Sequence, residues 1–92
     1  MVRSWQRAID CTDMAHWYRF DVPEVGLVIC KAERKAQIEQ VLATKVKFMG
    51  CVAREKLGPL RDDPYHTVFN SLSRLRDVMG QVCPHLLTAN NP

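Results

Sequence analysis

The chain has 92 residues, 47% of them hydrophobic and 25% charged, with 13 Lys+Arg against 10 Asp+Glu for a formal net charge of +3. That composition excludes a disordered tail, a collagen-like repeat and a low-complexity linker. The length suits one domain, and a core of that size usually needs a disulfide, a metal or a second subunit to supplement it.

Residues 1–15 are weakly patterned. Val2, Trp5 and Ile9 have helical spacing, so this arm is expected to dock on the core through Trp5. Residues 16–22, His-Trp-Tyr-Arg-Phe-Asp-Val, read as a strand stopped by Pro23. Alternation puts Trp17, Arg19 and Asp21 on one face and His16, Tyr18, Phe20 and Val22 on the other. Residues 25–30 read either as the return strand of a hairpin or as the first turns of a helix. Asp21 and Glu24 stand in capping-box spacing, so the helical reading is taken.

From residue 31 (or 25) to 57 the pattern is that of a long helix. Ile38, Val41/Leu42, Val46, Met49, Val52/Ala53 and Leu57 recur at three- and four-residue steps, and Gly58-Pro59 supplies a stop. Such a rod would be about 40 Å long. A second helix is expected over 63–83, capped by Asp63 with Pro64 in its first turn; residues 84–92 read as a tail. Its seam is Tyr65, Val68/Phe69, Leu72, Leu75, Met79 and Val82.

The predicted fold is therefore mainly α: an antiparallel helical hairpin with a short N-terminal strand, in a single domain spanning residues 1–92. The apolar arc of the long helix covers roughly 180°, more than one partner helix hides, so a homodimer forming a helical bundle is expected. The dimer and core seam comprises Ile38, Leu42, Val46, Met49, Val52, Phe69, Leu72, Leu75 and Met79. Lys45 falls inside that arc, where a lysine either snorkels to water or sets the register of an interface.

Chemistry-bearing motifs are missing. Cys11, Cys30, Cys51 and Cys83 contain no C-x-x-C pair, and His16, His66 and His85 add no zinc spacing. No cofactor, metal or catalytic site is expected, and no glycine-rich phosphate loop occurs. The longest apolar run, residues 26–30, is far below the roughly 20 residues that span a bilayer. A cytoplasmic protein with reduced thiols and no membrane association follows as the expectation.

Elimination leaves recognition. Trp17, Tyr18, Arg19 and Phe20 combine residue types favoured as interface anchors, on a candidate strand edge. The expected function is a small intracellular regulator that binds and inhibits or sequesters a larger protein. An antiactivator acting on a transcriptional regulator, or an inhibitor aimed by a phage at a bacterial complex, would suit the size. The alternative is a dimeric DNA-binding regulator of strand-helix-helix layout, contacting nucleic acid through Lys31, Arg34 and Lys35, the one tight basic cluster.

Overall fold

The structure is a computed structural model and describes residues 16–88. The expected N-terminal arm, and residues 89–92 of the expected tail, lie outside the described residues.

Four strands form one mixed sheet: β1 (Trp17–Val22), β2 (Gly26–Lys31), β3 (Lys47–Cys51) and β4 (His66–Phe69), in the order β3-β1-β2-β4. Three helices join them, α1 (Lys35–Val41), α2 (Leu57–Arg61) and α3 (Leu72–Val82), with 3-10 turns at Arg54–Lys56 and Pro84–Leu86. The mainly-α helical hairpin and its helical bundle are thereby corrected to an α+β fold.

β1 forms where alternation places it, and its return strand is β2, paired antiparallel from Trp17↔Lys31 to Val22↔Gly26. The connecting turn explains why residues 25–30 do not begin a helix. Pro23 occupies the first corner, Glu24 adopts φ 71° at the second, and the Val25 N–H donates to the Val22 carbonyl at 3.0 Å. Those are features of a type II turn, which reverses the chain into a hairpin.

The expected helix over 31–57 becomes α1, a loop and β3. No proline or glycine lies between 41 and 47 to announce the break. The end of α1 is set instead by distant chain. Thr88 donates its N–H to the Val41 carbonyl and its hydroxyl to the Gln40 carbonyl, both at 2.7 Å. The Ala43 N–H donates to Leu86 at the same distance, and Leu42 bridges Leu87. These bonds take up helix-end backbone groups that a longer helix would satisfy internally. The residues expected to trail as a tail thus hold the C-terminus of α1.

The expected helix over 63–83 likewise divides. The Asp63 carboxylate accepts the Tyr65 N–H at 2.9 Å and bonds His66, making a turn that leads into β4 instead of a helix cap. The cap of α3 is Ser71, whose hydroxyl accepts the Arg74 N–H at 3.1 Å.

β2, β3 and β4 run parallel, with β1 antiparallel to its neighbours β2 and β3. The β2-α1-β3 crossover moves one way across the sheet over one face; β3-α2-β4 moves back over the other. Opposite directions on opposite faces give the same hand, as crossovers between parallel strands require.

The first face carries the main core. Phe20, Val22, Val28, Cys30 and Phe69 of the sheet are buried against Ile38 and Val41 of α1, Leu75 and Met79 of α3, and Leu86. The second face has a smaller cluster, Trp17, Ile29, Val52 and Leu57, with Leu60 and Val68 at its margin. Of the expected seam, Ile38, Leu42, Phe69, Leu75 and Met79 belong to the main core, and Val46 and Leu72 pack at its rim. Val52 belongs to the second cluster, and Met49 is 39% exposed on the edge strand. Most of the apolar arc that called for a second subunit is therefore covered within one chain, with Met49 left exposed.

Cys51 is disulfide-bonded, against the expectation of reduced thiols throughout; Cys30 and Cys83 are free. The remaining cysteine, Cys11, lies outside the described residues. Among the described residues no helix is long and apolar enough to cross a membrane.

Candidate functional site

Parallel strands β2 and β4 are neighbours, so their carboxyl ends open at the same end of the sheet. Each is followed by a helix on the first face, α1 after β2 and α3 after β4. The starts of α1 and α3 therefore lie side by side at that end of the sheet and flank a crevice.

An open crevice of ≈ 740 Å³ lies there, lined by His16, Lys31, Ala32, Glu33, Arg34, Gln37 and residues 70–73. Its rim is held by backbone. The Glu33 carbonyl accepts the Tyr18 hydroxyl and His16 Nδ1, each at 3.3 Å. Gln37 folds its side-chain carbonyl back onto the N–H groups of Glu33 at 2.9 Å and Arg34 at 3.2 Å. On the other wall, Arg61 Nη2 donates to Asn70 Oδ1 at 3.0 Å.

The electrostatics favour an anion. Lys31 and Arg34 are exposed, and neither has a carboxylate within salt-bridge distance among the described residues; the ion pairs there are His66–Asp63 and His85–Glu24. Neither α1 nor α3 has an acidic residue in its first turn, where Asp or Glu commonly offsets the positive end of the helix. In α3 the Ser71 hydroxyl satisfies the Arg74 N–H, whereas the N–H groups of Leu72 and Ser73 have no intrahelical acceptor by helix geometry. Among the described residues the carboxylate of Glu33 is the one acidic group in the lining.

The expected partner anchors stand elsewhere. Trp17, Tyr18 and Phe20 are buried, so they build the cores. Trp17 lies between Lys31 Nζ and the Arg61 guanidinium, each 5.9 Å from its ring centroid. Arg19 is partly buried on the second face, where Nη1 meets His66 Nε2 at 3.3 Å; its Nε is buried with no partner. His66 Nδ1 in turn meets Asp63 Oδ2 at 3.0 Å. A guanidinium only donates, so in the neutral imidazole Nε2 accepts and Nδ1–H donates to the carboxylate. The Tyr65 N–H, followed by His66, holds the Asp63 carboxyl below its ordinary range.

Of the expected basic cluster, Lys31 and Arg34 line the crevice, whereas Lys35 sits over the Phe48 ring at 4.3 Å. Sequence reasoning missed His16, Asn70, Ser71 and Ser73. The signal was a serine three residues before Arg74 at the start of an apolar helical pattern; Asp63 masked it as the apparent cap. Among the described residues no group of three or more His, Cys, Asp or Glu could hold a metal ion. No protein-family model, curated protein or solved structure matches this chain.

Proposed function

We propose that this protein is a non-catalytic regulatory module that binds a larger partner protein by seating an anionic segment of it in the crevice. One observation carries the reading: Lys31 at the end of β2 and Arg34 just before α1 border the same crevice without a carboxylate partner among the described residues. Unpaired cations beside unsatisfied backbone donors favour negative charge.

The other surfaces support capture less well. β3 is an edge strand carrying exposed Lys47 and a register shift opposite Arg19/Phe20, and β4 is only 4 residues long. Charges, irregularity and short length are devices that discourage strand addition. Nucleic acid is the second reading, through Lys31, Arg34 and Lys35. It is the weaker one because no Trp, Tyr or Phe among the described residues lines the crevice to stack a base.

Fluorescence anisotropy with a glutamate-rich peptide and with duplex DNA, each at about 50 and 200 mM salt, separates the two. The expected result is peptide binding weakened about tenfold by Lys31→Ala or Arg34→Ala. Tighter binding to DNA, or peptide binding indifferent to both substitutions, would overturn the reading. Cytoplasmic action belongs to this proposal, and the Cys51 disulfide weighs against it. Thiol trapping in intact cells decides: a disulfide found there places the protein in an oxidising compartment. Homodimerisation now lacks most of the apolar arc that suggested it.

A further inference from the structure

We infer that the anionic group seated in the crevice is a phosphoryl monoester on a partner polypeptide, a deepening that rests on the reading above. The donors border the crevice from two segments of the chain. Lys31 ends β2, Arg34 precedes α1, and Ser71 and Ser73 open α3, with the Leu72 and Ser73 N–H groups between them. A carboxylate is planar and offers two oxygens. A phosphoryl group presents three around a tetrahedron and carries about −1.5 to −2 at neutral pH, so it can use donors arriving from several directions at once.

Charge and size agree with that match. Among the described lining residues, Lys31 and Arg34 against Glu33 leave a net charge of +1. Ser73 is exposed where it lines the crevice, so its hydroxyl can turn to donate there. A volume of ≈ 740 Å³ is far larger than a phosphate ion, and the open mouth lets the chain that bears the group run out to solvent. Ala32 and Leu72 give an apolar patch for a neighbouring side chain of that segment. Among the described lining residues a nucleotide base would find only the His16 imidazole to stack on and no Trp, Tyr or Phe, which favours a peptide source.

The test compares short degenerate peptide libraries that share a fixed central residue: phosphoserine, glutamate or serine. The intact chain is used, with single-stranded oligothymidylate as a fourth probe. The phosphoserine library is expected to bind at least about tenfold more tightly than the glutamate library, with serine weakest. Arg34→Ala and Ser73→Ala are both expected to erase the phosphoserine advantage, and both sites are exposed, so the fold should survive. Equal binding of phosphoserine and glutamate libraries overturns the phosphoryl assignment and leaves the anion-binding module standing. Tighter binding of the oligonucleotide overturns the peptide source. Failure of every probe overturns the phosphoryl assignment and the underlying reading together.

Discussion

The two faces of the sheet are built from one alternating strand and end in opposite states. On the first, Phe20, Val28, Ile38, Leu75 and Met79 lose essentially all exposure beneath two helices. On the second, one short helix covers Trp17, Ile29, Val52 and Leu57, and the same strand then presents Arg19, bonded to His66 and through it to Asp63. The first face holds the larger share of the buried apolar side chains. The second accommodates polar groups because its cover is partial, and the crevice lies where the two helices of the first face begin.

The comparison breaks most visibly in thiol chemistry. Burial pushes the Cys30 thiol up to about 12, within the first-face core. A rise of that size lowers its thiolate fraction near pH 8 by about a thousandfold relative to an ordinary thiol. Cys83, only partly buried, should alkylate first in native protein, with Cys30 following at the rate of unfolding; mass spectrometry of a timed iodoacetamide reaction reads the order. Rapid modification of Cys30 would mean that the first face opens easily.

Core truncation should come next. Leu75→Ala and Ile38→Ala are expected to cost about 2–5 kcal/mol in urea denaturation, because each removes a fully buried side chain from a closed layer. Leu57→Ala should fall at or below the low end, since the second cluster is smaller and its margin can relax. Equal losses on both faces would remove the asymmetry argued here.

A smaller effect concerns the polar chain. His66→Ala leaves the partly buried Arg19 guanidinium without its one bonded acceptor, for which about 1–3 kcal/mol is expected. Asp63 adds a pH signature. Its folded carboxyl lies below the ordinary value, so its contribution is present above the unfolded pKa of about 4 and is lost as pH falls through the folded one. Asp63→Asn should therefore flatten the acid limb of the stability curve and leave neutral pH less affected. An unchanged acid limb would show that the His66 and Tyr65 bonds do not hold that carboxylate.

The smallest change is expected at the hairpin tip. The His85–Glu24 pair, at 3.1 Å, is 59% exposed on both sides, so His85→Ala should cost about 0.5 kcal/mol or less. Glu24→Gly loses the same pair but relieves a φ of 71°, worth about 1 kcal/mol, and should be neutral or stabilising.

Legibility in the sequence followed the range of the forces involved. β1 was legible because its alternation is local and Pro23 ends it. The Ser71–Val82 helix was legible in its seam though its start was misplaced, since Asp63-Pro64 imitates a helix start but turns the chain through Tyr65 and His66 instead. The break at residues 42–46 was hidden. The bonds that stop α1 come from residues 86–88, more than 40 positions away, and no local residue marks them. One wall of the crevice was visible through Lys31 and Arg34 of the basic cluster. The other wall was not, because only the parallel pairing of β2 with β4 carries Ser71 and Ser73 beside it.

The central claim is that the crevice at the ends of β2 and β4 receives an anion. Amide chemical shifts followed by NMR during titration with inorganic phosphate test it most directly. The account predicts shifts concentrated in residues 31–34 and 70–74, abolished in a Lys31→Ala/Arg34→Ala variant that keeps its other resonances. Shifts gathered around Arg19 and His66 on the second face, or no shifts in the crevice, would contradict it.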